Sequence, residues 1–324
     1  MKKRICVLGV LLMLASVAGA QTYVFEKEIA VYPLPTALAA DSSGGIYYAT
    51  FADVNSAVYY IPDPINQNTT TTQLLVLTES SFPASRGFQS AAVDSTDRFY
   101  VCGDNGTNGV FKRVTKSGSV FTVDSTFVPA NAASTRLTGV AVVGSLVVAS
   151  GLLSGELYFY NNDGSINVTV TGVLNYPRDV AYNPANNDIY VSRNGNAACL
   201  ELFSGGSPST PSGYSLATSS LIADGGTPLL GAHGIYYDST NLNLVLPNRD
   251  TPEKFRIYGV SGTGASTVLT PKQEIDGTDS TGGQITDAVD AVVIGPRLYL
   301  TDFGGNRLLV YNSASSVRDW SLFE

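Results

Sequence analysis

The chain has 324 residues and a formal charge of −8, and only 14% of it is charged, about half the usual quarter. With 32 Gly, 18 Tyr and 13 Phe, it is not a coiled coil, a Lys/Glu-rich helical bundle or a disordered tail protein. An acidic chain without a basic stripe is a poor nucleic-acid binder, and a single histidine removes most catalytic histidine chemistry.

The N-terminus reads as an export signal. Lys2-Lys3-Arg4 is a positive start, Ile5 to Ala18 is apolar, and Ala18-Gly19-Ala20 is a small-residue cleavage site. That order defines a secretory signal peptide over 1–20, and the apolar run is shorter than the ~20 residues of a membrane span. The reading places residues 21–324 in the periplasm or outside the cell as a single domain with no membrane span. Cys102 and Cys199 remain after cleavage. The repeats below put them two modules apart, so no bridge is expected between them.

From Thr36 onward one pattern recurs six times. A short apolar strand ends in a turn, and a β-branched or aromatic strand follows. The pairs are Thr36–Asp41 with Ile46–Thr50, Gln89–Asp94 with Phe99–Gly103, and Thr138–Val143 with Leu146–Ser150. Then come Arg178–Asn183 with Ile189–Arg193, His233–Asp238 with Leu244–Asn248, and Asp290–Ile294 with Leu298–Asp302. Each pair is followed by a third strand, such as Val58–Ile61 or Leu308–Tyr311, and a fourth fits most copies. In the third copy Asp163-Gly164 marks a hairpin before Ile166. Four short strands every 43–55 residues predict an all-β, six-bladed β-propeller, because one such sheet cannot bury both faces alone and a ring of them can. Two segments could close the ring as the last outer strand: Tyr23–Tyr32 or Val317–Phe323.

The sixth copy, Leu298-Tyr-Leu-Thr-Asp-Phe-Gly-Gly-Asn-Arg-Leu-Leu-Val-Tyr311, resembles the NHL repeat, which carries a hydrophobic-Tyr-Val-x-Asp segment, then Gly-Asn-Asn-Arg and an apolar strand. The fourth copy keeps Ile189-Tyr-Val-Ser-Arg-Asn194, and the fifth has Asn248-Arg249-Asp250 in shifted order. The architecture also resembles the wider superfamily of six-bladed calcium-dependent lactonases, the gluconolactonase and senescence-marker family. That family opens with Gly-Glu-Gly-Pro, whose Glu binds metal, where this chain has Leu34-Pro-Thr-Ala-Leu38.

In a propeller the loops entering the first strands and leaving the second strands converge on one mouth of the central channel. The entering ring would hold Thr36, Gln89, Thr138, Arg178, His233 and Val289. The leaving ring would include Asp104, Arg193, Asn248, Arg249 and Asp302. The main reading is a binding or interaction scaffold with Arg178, His233, Arg193 and Arg249 as ligand contacts. It needs no cofactor and would take a protein, glycan or small-molecule partner as a monomer. The alternative is a metal-dependent lactonase or esterase of the gluconolactonase type. Asp179, Asn194, Asn248, Asp290 and Asp302 offer the oxygen ligands calcium takes, and His233 would be the base. Cys-x-x-Cys, His-Glu-x-x-His and Gly-x-Ser-x-Gly are absent from the sequence, and one histidine cannot build a three-histidine zinc site.

Overall fold

A computed structural model describes residues 22–52, 56–67, 69–173, 176–193, 200–218, 232–248 and 252–314. Residues 1–20 of the expected export signal, together with Asn194, Cys199, Arg249 and the 317–323 stretch, lie outside these residues. Cys102 is a buried free thiol.

The chain is an all-β propeller. Among the described residues, 24 strands fall into six antiparallel units of four. The first unit runs Pro35–Ala40, Ile46–Ala52, Ser56–Ile61, Leu74–Glu79; the second Arg86–Val93, Phe99–Asp104, Gly109–Ser117, Val120–Val123. The third runs Leu137–Val143, Leu146–Gly151, Glu156–Tyr160, Ile166–Thr171; the fourth Pro177–Asn183, Asp188–Arg193, Leu200–Ser204, Ser215–Thr218. The fifth is Tyr236–Asp238, Asn243–Asn248, Lys254–Ser261, Val268–Ile275; the sixth Ala288–Ile294, Arg297–Asp302, Arg307–Ala314 and, from the other end of the chain, Thr22–Ala30. The first two units also meet edge to edge, through Phe51 opposite Gly87 and Ala52 opposite Arg86. No helix among the described residues is long and apolar enough to cross a membrane.

The second strands read as continuous apolar runs because both of their faces are covered: Phe99–Asp104 and Leu146–Gly151 are buried at every position. The outer strands alternate or are exposed, as in Ile166–Thr171 and Val120–Val123. Large aromatics fill the wedges between units. Tyr47 of the first stacks on Phe99 of the second at 4.4 Å, and Phe111 of the second meets Tyr160 of the third edge-to-face at 5.5 Å.

The first strands carry a recurring irregularity. Their pairing slips by one residue at Thr36, Gln89, Thr138 and Arg178, and likewise by one in the sixth unit, where Val289 and Asp290 oppose the single Thr301. Each slip is a β-bulge, which re-aims the bulged side chain. In the fifth unit the first strand is shorter than the sequence suggests, starting at Tyr236 rather than His233. The reason is local: Gly234 N–H donates at 2.7 Å to Val289 O of the sixth unit instead of to its own sheet.

Of the two candidate closing segments, the N-terminal one forms the sixth outer strand. Its backbone pairs Thr22–Ala30 with Arg307–Ala314 around a bulge at Phe25/Lys27. Side chains reinforce the ladder: Arg297 forks onto Glu26 at 2.7 and 3.0 Å, and Arg307 reaches Glu28 at 2.8 Å. Gln73 of the first unit donates to Ala30 O at 2.7 Å. Ile29 is fully buried on this strand, whereas Val24 is 57% exposed. Ile29→Ala should therefore cost about 2–5 kcal/mol and Val24→Ala within about 0.5 kcal/mol. Urea midpoints of the two variants check this; equal midpoints would show that the strand does not join the core.

Candidate functional site

Two cavities open along the central channel. The first, of about 380 Å3, is lined by Thr36, Phe51, Ser85, Arg86, Gln89, Arg178, His233, Asp287, Val289 and Phe303. Five of the six residues expected in the entering ring are here; Thr138 is not among the lining residues. Four of the five, Thr36, Gln89, Arg178 and Val289, are the bulged residues of their strands.

The cavity has two unlike walls. Arg86 and Gln89 come from the second unit, Arg178 from the fourth and half-buried His233 from the segment leading into the fifth. Arg178 Nη1 donates to Gln89 Oε1 at 3.2 Å across the mouth. Arg86 Nη1 donates to the buried carboxylate of Asp104 at 2.8 Å, and Arg136 forks onto the same carboxylate at 2.7 and 2.6 Å. Burial works to raise the Asp104 pKa, but hydrogen bonds and charge from the arginines hold it below the usual carboxylate value. Two guanidinium groups on one carboxylate leave a net positive charge. Phe51 and Phe303 of the first and sixth units also line the cavity and meet at 6.2 Å and 64°, with Phe51 paired through its backbone to Gly87, next to Arg86.

The second cavity, of about 590 Å3, lies on the side of the channel where the first strands turn into the second, with Asp179, Asp290, Asp41, Asp94, Asp97 and Tyr236 in its lining. Asp179 and Asp290 are 5% and 4% exposed. Ser90 Oγ donates to Asp179 Oδ1, as does Val180 N–H at 2.8 Å, and Ile235 N–H donates to Oδ2 at 3.1 Å. Asp290 accepts Leu38 N–H at 2.7 Å and Ala291 N–H at 2.8 Å. Burial pushes Asp179 up to about 7 against those hydrogen bonds. Burial and the Asp179 charge push Asp290 well above the carboxylate range. The pair therefore titrates as a unit.

The expected oxygen ligands are not gathered into one set. Asp302 is spent on a turn: its Oδ1 accepts from Thr286 and Gly305, and its Oδ2 takes Arg307 Nε at 2.8 Å. Asn248 is buried at the end of the fifth unit's second strand. Only Asp179 and Asp290 come together, at the waist rather than in the mouth. Among the described residues no three His, Cys, Asp or Glu side chains are placed to share an ion, so Asp179, Asp290 and Asp302 do not form a common calcium centre. Arg193 is drawn out of the mouth by fully buried Glu201, at 3.3 Å. Phe51, Phe303 and Arg86 were not expected; Phe51 and Phe303 both close second strands, a correspondence visible on aligning the first and sixth copies.

No protein-family profile matches the sequence, and no curated protein matches it. Solved structures do match in fold. The PQQ-bound aldose sugar dehydrogenase of Streptomyces coelicolor is 14% identical over 91% of this chain and 98% of its own, with TM-score 0.59. A gluconolactonase from Xanthomonas campestris is 14% identical over 91% and 90%, with TM-score 0.56. A chain of the nidogen/laminin complex is 14% identical over 82% and 89%, with TM-score 0.57. At these identities the likeness is one of fold, and it spans a PQQ-bound sugar dehydrogenase, a gluconolactonase and a nidogen/laminin complex.

The waist pair predicts a pH dependence. A carboxyl whose folded pKa is raised contributes stability that is fully present below its unfolded value, near 3.8, and lost as pH rises through about 7. Asp104 and Asp302, held low, act oppositely and lose their contribution in acid. Stability should peak near pH 4 and fall as pH rises from about 4 to 7, by up to about 1.4 kcal/mol per pH unit per proton. Asp290→Asn should flatten that fall. Melting temperatures of both proteins across pH 4–9 check it, and parallel curves would exclude the pair as the cause.

Proposed function

We propose that the chain is an exported, single-domain, six-bladed NHL-like propeller whose working site is the mouth cavity, and that its ligand is a small organic anion. One observation carries the reading. Arg86, Arg178 and His233, from three different units, converge on one cavity in a chain whose formal charge is −8. Guanidinium groups suit carboxylates because their planar fork can bond both oxygens. A basic mouth in an acidic surround also concentrates anions. The cavity falls at the small end of the range of about 300–1,000 Å3 typical of ligand pockets.

A second reading is favoured by the fold of the Xanthomonas gluconolactonase: hydrolysis of a lactone or ester in the same mouth. His233 would take a proton from water as that water attacks the carbonyl carbon. Arg178 would stabilise the resulting oxyanion. The acyl C–O bond then breaks, and the proton passes to the leaving alkoxide.

Calorimetric titration with gluconate, glucuronate, benzoate and pyrroloquinoline quinone, with glucose as the neutral control, tests the binding reading. Anions should bind and glucose should not. Arg178→Ala should weaken binding by roughly 10- to 100-fold, the worth of a charge-assisted bidentate contact. Unchanged affinity in that variant would remove the mouth as the site. Acid release from gluconolactone and dihydrocoumarin tests hydrolysis. It should be abolished in His233→Gln, and activity surviving that change would remove His233 as the base.

A further inference from the structure

The mouth is divided rather than uniformly polar, and the division specifies more than charge. Resting on the anion-binding reading above, we infer that the ligand is a carboxylate carrying an apolar ring: its carboxylate lies against Arg178 and Arg86, and its ring against Phe51 and Phe303.

Three features support this. The cations and the aromatics sit on different units. Arg86 and Gln89 belong to the second and Arg178 to the fourth, whereas Phe51, Phe303 and Val289 belong to the first and sixth. A ligand that fills the cavity therefore meets both walls at once.

The aromatic wall also offers few hydrogen-bond partners. Phe51, Phe303 and Val289 present none from their side chains, and the nearby Thr36 hydroxyl already donates to Phe88 O at 2.8 Å. A polyhydroxylated acid would press hydroxyl groups on these three side chains and, apart from any that reach Asp287, lose their water without replacement. An apolar ring loses nothing, and gains edge or face contact with a pair already set edge-to-face at 6.2 Å.

Orientation is fixed by a third feature. Asp287 lines the cavity on the sixth unit's side, and Phe303 N–H donates to Asp287 O at 2.9 Å. The negative charge of Asp287 on that side of the cavity disfavours the ligand's own carboxylate there relative to the arginine side.

The test compares phenylacetate, gluconate, acetate and inorganic phosphate, by calorimetry and by saturation-transfer NMR on the full chain. Phenylacetate should bind about tenfold or more tightly than gluconate or acetate, with saturation strongest on its aryl protons. Phe303→Ala should weaken phenylacetate by about tenfold and leave gluconate and phosphate unchanged. Phe303→Leu keeps apolar volume and should recover part of the loss. Far-UV spectra and melting curves show that both variants fold. If gluconate or acetate binds as tightly as phenylacetate, or Phe303→Ala leaves phenylacetate unchanged, the ring class is wrong while the anion site stands. If none of the four binds, or Arg178→Ala changes nothing, the anion reading fails and this inference falls with it.

Discussion

Apart from the Phe51–Gly87 and Ala52–Arg86 pairing that joins the first two units, the first strand of each unit is paired only with its own second strand and turns its other edge to the channel. Buried donors left without acceptors are costly, so a propeller must supply acceptors along its axis. Here three side chains do much of this. Asp179, Asp290 and Ser90 together accept the N–H groups of Leu38, Val140, Val180, Ile235 and Ala291. The donors come from five units, so the same bonds clamp the ring. Other contacts complete the circle: Thr36 to Phe88 O, Thr138 to Pro177 O, Ser192 to His233 O, and Gly234 N–H to Val289 O.

This clamp also explains the small residues around it. The waist position holds Ala37, Ser90, Gly139, Asp179, Gly234 and Asp290 in turn. A Cβ on Gly139 would come within 2.7 Å of Asp179 Cα, and one on Gly234 within 2.4 Å of Val289 O and 2.7 Å of Asp290 Oδ1. The glycines are therefore the space that the neighbouring aspartates and their backbone occupy. The bulge just before this position makes consecutive residues serve different ends. Arg178 lines the mouth while Asp179 ties the waist; Gln89 and Ser90 divide in the same way, as do Val289 and Asp290. The same local distortion that satisfies the backbone thus also presents the mouth residues.

That coupling explains which features were legible in the sequence. The repeat was legible because second strands buried on both faces must be apolar runs, and their spacing follows. Most of the entering ring was legible too, since the five copies with a bulge place it four or five residues before the end of the first strand. The leaving ring was not. Asp104, Asp302 and Arg193 share the residue types of a binding mouth, but they are held by Arg136, Arg307 and Glu201, partners distant in sequence or on another strand. Spacing alone does not distinguish a carboxylate that caps a turn from one that faces a ligand. The closing strand was ambiguous for a similar reason. Two segments had strand character, and the choice lies in cross-chain pairs such as Glu26–Arg297 and Glu28–Arg307 that neither segment shows by itself.

The vertical order of charge along the axis then bears on where a ligand can rest. Arginines rim the mouth, and the Asp179–Asp290 pair lies beneath them, buried and without a lysine, arginine or histidine among the residues lining its cavity. While both carboxyls keep their protons the pair adds no charge to the channel, and each proton lost makes the waist more repellent to an anion. The waist that holds the ring together thus also divides the channel, with the arginines of the mouth on one side of it and the acidic cavity on the other.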